Sequence, residues 1–246
     1  DWHFSLNILA LLGAGIALTA WFGLKTIKYT KTASASLKGI GHGFMTLLRS
    51  GYAWRISLFA FCMYVPLAGF AELWGIPYLK VAYNISEARA AAMMAANLVG
   101  LFAGTVLLGG FCKLVGDYRA MIIGAVLSLV FISLAIYLPV SPMFTMTCLF
   151  LAGFFFGPEC LAFGRIVEVL PDDKGGLAIG FTNMVTMLSG LIMQPVIGWA
   201  LAFFNPGEVG EHVVIDVSHY QSALIVVPAA LVLATILAIT LKPSQK

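Results

Sequence analysis

Long apolar runs broken by short polar stretches dominate the chain. Seven runs, at about 4–23, 53–75, 89–112, 118–138, 143–165, 176–203 and 221–241, each reach the roughly 20 mostly apolar residues that a helix needs to cross a bilayer. Lys-containing 24–50, Pro77–Glu87, Lys113–Asp117, Pro139–Pro142, Glu168–Gly175 and Asn205–Tyr220 separate them. Alternation with a period of two and a turn every ten residues is missing, which argues against a membrane barrel. The pattern predicts an all-α membrane protein with seven transmembrane helices.

Between the first two runs, Leu37, Ile40, Phe44, Leu47 and Leu48 recur at helical spacing beside Lys38 and Arg49. This predicts an amphipathic helix on the inner membrane surface. Gly39, Gly41 and Gly43 leave a plain linker as the alternative.

Composition and charge add direction to this picture. Only 10% of the residues are charged and 61% are hydrophobic, against roughly a quarter charged in a soluble domain. Of 14 Lys and Arg, only Lys80 and Arg89 fall at one set of helix ends. Lys25, Lys28, Lys31, Lys38, Arg49, Arg55, Lys113, Arg119, Arg165, Lys174, Lys242 and Lys246 fall at the other. By the positive-inside rule that end is cytoplasmic, with the C-terminal tail inside. Cys62, Cys112, Cys148 and Cys160 lie within apolar runs without metal or redox spacing and read as thiols buried in the membrane.

Several motifs recur in order. The second run leads into Leu73-Trp74-Gly75-Ile76-Pro77-Tyr78-Leu79, followed by Ser86-Glu87-Ala88. The third carries Gly100, Gly104 and Gly109-Gly110, then Gly116-Asp117-Tyr118-Arg119. The fifth has Gly153 and Gly157-Pro158-Glu159; the sixth has Gly180-Phe181-Thr182-Asn183, Gly190 and Gln194-Pro195-Val196-Ile197-Gly198. Together with the topology, this set resembles the major facilitator superfamily along the whole chain, in particular its bacterial small-solute permeases. The resemblance is to the C-terminal half, from the sixth helix onward. Residues 1–23 would then be the last helix of an N-terminal bundle, 24–50 the cytoplasmic loop between bundles, and 51–246 the C-terminal six-helix bundle. It implies alternating-access transport of a small solute, a location in the bacterial inner membrane, and a missing N-terminal half or a paired half as partner. The alternative is a membrane scaffold, or a half-subunit of a complex, that moves no solute.

Glycines four apart let helix backbones approach closely in lipid, where packing rather than hydrophobicity drives association. Gly100 with Gly104, and Gly153 with Gly157, are such pairs. Ionisable groups within the hydrocarbon are costly, on the order of 2.5–3.5 kcal/mol on insertion scales, and are functional candidates by default. Glu159 follows Pro158, which removes a backbone donor and frees a nearby carbonyl; it is the leading candidate for binding solute or carrying a proton. A neutral structural acid is the bland reading. Glu72, near the outer end of the second run, is the second candidate. Tyr64, Phe155, Phe156, Asn183 and Gln194 are candidate contacts for a small solute, and Asn97 is a further polar residue inside an apolar run. The resemblance implies a cytoplasmic gate in which Asp117 pairs with Arg119. Arg165 and Glu168 form a second possible ion pair at the same end.

Other classes find no support. There is no phosphate loop, no His-Glu-x-x-His and no Gly-x-Ser-x-Gly, so neither an enzyme nor a cofactor is expected. Basic residues are too few and too close to the membrane for nucleic-acid binding. His212, Asp216 and His219 share one outer stretch, where an irregular loop explains them better than a metal. A retinal protein would need a Lys in the last run, and 221–241 has none.

Overall fold

A computed structural model describes residues 2–23, 37–170, 174–204 and 216–241. These are helical nearly throughout, without a strand among the described residues, and seven helices are long and apolar enough to cross a membrane. Lys25, Lys28, Lys31, His212, Lys242 and Lys246 lie outside the described residues.

Two compact units divide at Leu37 and Lys38. The first contains α1 (Trp2–Gly23), whose side chains from His3 to Gly23 are exposed. A helix apolar on every side suits a bilayer rather than water.

The second unit begins with α2 (Leu37–Arg49), of which Leu47 is fully buried while Phe44 and Leu48 pack on the core. The apolar face that the sequence assigns to the membrane surface therefore rests largely on protein. Phe44 meets the Phe181 ring edge-on at 6.0 Å, and Ile40 remains exposed.

The second span runs from Gly51 to Tyr83 in three stretches: α3 (Gly51–Val65), a π-helical stretch Pro66–Trp74, and α4 (Gly75–Tyr83). The sequence reading stops this span at 75 and places Pro77 in a loop. Pro77 instead sits in the first turn of α4, where a missing N–H is tolerated. Asn84, left-handed at φ 48°, ends the helix.

Five further spans complete the unit. They are α5 (Glu87–Val115) and α6 (Asp117–Tyr137); the broken fifth span of α7 (Pro142–Phe156), a 3-10 turn Gly157–Glu159, α8 (Cys160–Ile166) and a 3-10 turn Val167–Val169; and α9 (Gly175–Phe204). The last is α10 (Val217–Ala223) followed by α11 (Val226–Thr240). At one end Arg55 Nη1 donates to Thr240 O (3.2 Å) and the Tyr52 and Tyr118 hydroxyls meet at 3.2 Å. At the other, Tyr78 bonds Ile136 O, Tyr83 bonds Ser141 O, and Gln221 Nε2 donates to Ile136 O (2.9 Å). Tyr residues thus tie the second span to the fourth at both ends, and to the fifth at one of them.

Phe59, Phe70, Tyr78, Met121, Ile132, Leu149 and Ile166 form the core, while Phe102, Leu114, Leu191, Trp199 and Phe203 stand more than 70% exposed. Water would not tolerate so much contiguous apolar surface. The tightest seam joins α5 to α7. A Cβ on Gly100 would strike the Phe150 carbonyl, one on Gly104 the Phe154 carbonyl, and one on Gly153 the Asn97 carbonyl. At Gly157 it would stand 2.9 Å from the Gly104 backbone. The two glycine pairs seen in the sequence face each other across this one seam.

Candidate functional site

Three of the six spans in this unit are interrupted, and in two of them, the second and the fifth, the break carries a carboxyl. Pro66 has no N–H to continue the α-helical ladder, and the chain widens into the π stretch that holds Glu72. Such π segments are rare and concentrate at functional sites. In the fifth span Gly157 and Pro158 tighten the chain into the 3-10 turn that ends at Glu159.

Glu159 is only 5% exposed, and its Oε1 is sealed from solvent without a hydrogen-bond partner. A buried polar atom left unpaired is expensive, about 1–3 kcal/mol and more when charged. On α3 the half-buried Tyr64 phenol interacts electrostatically with both Glu159 and Glu72, and its ring centroid lies 6.0 Å from that of Phe156. The structure thus brings together Tyr64, Phe156, Glu159 and, more loosely, the exposed Glu72. Phe155 stacks instead on Phe131, with centroids 5.9 Å apart.

The remaining solute candidates are spread along α9. Asn183 is exposed. Gln194 spends its amide nitrogen on Ala68 O (2.9 Å). Sequence reasoning missed a buried hydroxyl row on the same helix: Thr182, Thr186 and Ser189. Thr182 Oγ1 meets Ser57 Oγ at 3.0 Å, and the Ser189 hydroxyl is buried without a partner. Their i, i+4, i+7 spacing within an apolar run was the available signal. Asn97 is buried and donates to Leu149 O (2.9 Å), joining α5 to α7.

A second cluster occupies the end rich in Lys and Arg. Gly116, at φ +81°, makes the left-handed turn that starts α6 and leaves Asp117 in its first turn, where the helix dipole favours a carboxylate. Arg165, on α8, donates to Asp117 and to Glu168 Oε1 (3.0 Å), and its guanidinium lies 4.8 Å over the Tyr118 ring. Through the Tyr118–Tyr52 contact the cluster joins the starts of α3 and α6 to the end of the fifth span. The side chains of Arg165, Asp117 and Glu168 are 26%, 34% and 38% exposed.

Arg119 is exposed and makes no ion pair among the described residues. Residues two apart on a helix point to different faces, so Asp117 turns to Arg165 rather than to its sequence neighbour. His219 caps α10: its Nδ1 accepts from Asp216 N (3.3 Å), and no metal-binding group of His, Cys, Asp and Glu occurs among the described residues.

An all-helical set of membrane spans, with acids at helix breaks and an ion-pair cluster at one end, defines a polytopic helical membrane protein. A family model described as the Major Facilitator Superfamily matches residues 56–246. The chain belongs to this superfamily of transporters. No curated protein and no solved structure matches it.

Proposed function

We propose that residues 51–246 form the C-terminal bundle of a secondary transporter that moves a small solute by alternating access and couples that movement to protons through Glu159. The observation that carries the reading is the sealed, unpartnered Oε1 of Glu159 at a break in a membrane span. The ionised acid is poorly supported there, so giving up a proton requires the oxygen to be uncovered or paired. A change of access supplies that step.

Tyr64, Phe156 and Glu72 form the adjoining wall, with Asn183 further along α9. The Asp117–Arg165–Glu168 cluster is the gate. Its half-exposed pairs hold with about 0.2–1 kcal/mol each, weak enough to break and re-form in a cycle. By charge asymmetry this end faces the cytoplasm of a bacterial inner membrane. Six helices make one wall of a two-sided cavity, so an N-terminal bundle or a paired half completes it.

The test is the intact protein in proteoliposomes with trapped pyranine and a panel of radiolabelled solutes. Uptake of one solute should move protons, and Glu159→Gln should abolish that proton movement. Uptake with proton movement intact in Glu159→Gln would remove the coupling role. Absence of uptake across the panel would favour the scaffold reading.

A further inference from the structure

The π stretch Pro66–Trp74 is held from both ends and from the side. On its inner side, Ser57 bonds Thr182 and the Trp54 and Phe181 rings meet edge-on at 5.4 Å. On its outer side, Tyr78 bonds Ile136 O, and Tyr83 bonds Ser141 O and the Thr145 hydroxyl. These contacts fix how many residues the helix fits between them. Pro66 contributes no donor at the start of the stretch.

Laterally, α9 grips the stretch at one level. Gln194 Nε2 donates to Ala68 O (2.9 Å), and Trp74 Nε1 donates back to the Gln194 carbonyl (3.2 Å). The approach is close: a Cβ on Gly69 would lie 3.3 Å from Met193 Cβ, and one on Gly198 3.3 Å from the Trp74 ring. The reciprocal bonds span the residue before Pro195, the proline inside α9.

We propose that Gln194 and Trp74 form a clasp that holds Pro66–Trp74 in its π register and so sets the direction of Glu72 relative to Tyr64. Gln194 is then a positioning residue rather than a solute contact. A π turn stores one residue more than the α-helix it interrupts. Each residue of an α-helix turns about 100°. Relaxation of the stretch to α geometry would therefore swing Glu72 by about that angle relative to Tyr64, and the two groups interact electrostatically in the clasped form. What those side chains do in transport rests on the function proposed above; the clasp itself is tested without flux.

The experiment uses the intact protein in nanodiscs. Gln194→Leu removes the amide donor, and Trp74→Phe removes the indole N–H while keeping a ring. Hydrogen–deuterium exchange should rise tenfold or more across 66–74 in both variants and stay unchanged across 117–137. In a background without Cys62, Cys112, Cys148 and Cys160, a nitroxide on Glu72→Cys should change its mobility and water accessibility when Gln194→Leu is added. A nitroxide on Val130→Cys, exposed on α6, should not. Unchanged exchange across 66–74 in both variants overturns the clasp, as does a rise spread equally over α5 and α6. An unmoved Glu72 label overturns the positioning role even where exchange rises. Failure of solute uptake in proteoliposomes would instead count against the transport reading and leave these outcomes standing.

Discussion

The α5–α7 seam and the joint between the second and fifth spans lie within the same bundle and are built on opposite rules. At the seam, unbroken stretches of two helices meet at Gly100, Gly104 and Gly153, and the few polar groups are spent, as when Asn97 bonds Leu149 O. At the joint both spans depart from α geometry, and Glu159 keeps an oxygen with no partner. Close packing in lipid gains its energy from short backbone approach and has one good arrangement. An unpaired acid at a helix break has no single good arrangement, so changes there are less costly. The bundle thus places a rigid wall beside a part that can rearrange.

The largest effect is expected at the seam. Gly104→Leu places a side chain against the Phe154 carbonyl, where backbone rather than a flexible side chain must give way. Overpacking usually costs about 1–3 kcal/mol, and here the upper end or more is expected. Thermal unfolding in detergent should show a large loss, or the variant should fail to accumulate as a monodisperse protein. Near-native stability would mean that the seam is not the rigid element.

The joint should respond with the opposite sign. Glu159→Met keeps the length of the side chain and deletes the orphaned oxygen. Removing an unsatisfied buried polar group should stabilise the bundle by about 1–2 kcal/mol, read in the same unfolding assay, while uptake with proton coupling is lost. Such an exchange of stability for activity is usual where a site holds strain or unmet polarity. A destabilised variant would show that Glu159 is a satisfied structural acid.

The proposed gate should be weaker still. A double-mutant cycle on Asp117→Asn and Arg165→Gln should give a coupling of about 0.2–1 kcal/mol. High salt should reduce it, because all three partners are a quarter or more exposed. A coupling of several kcal/mol would make the cluster a permanent lock instead of a gate.

The contrast between seam and joint also separates what the sequence reveals from what it hides. Span positions were legible because twenty apolar residues in a row have few other uses, and the glycine pairs because their spacing is a property of one helix. The continuation of the second span through Pro77 was not legible. It depends on the π stretch ahead of it, which depends in turn on anchors such as Tyr78 on Ile136 that lie far away in sequence. The family resemblance implied that Asp117 pairs with Arg119, but helical geometry separates the two and the fold supplies Arg165. The apolar stripe of α2 was visible while its destination was not, since amphipathicity names a face and says nothing about what covers it. Glu159 stood out by cost alone; its missing partner belongs to the packing of several helices.

The smallest expected effect is the sharpest control on the comparison. Gly109 and Gly110 continue α5 beyond the seam, in the same helix and a similar apolar setting, but a Cβ on either meets nothing within 4 Å. Gly109→Ala or Gly110→Ala should therefore leave stability unchanged or raise it by up to about 1 kcal/mol, the gain in helix propensity over glycine. Gly104→Ala, five residues before Gly109, should still be costly, because even one methyl group meets the Phe154 backbone. Unfolding temperatures of these alanine variants, measured side by side in one detergent, isolate close approach from propensity. Equal losses at all three positions would mean that α5 needs glycine for bending along its length, and the rigid seam would disappear as an explanation.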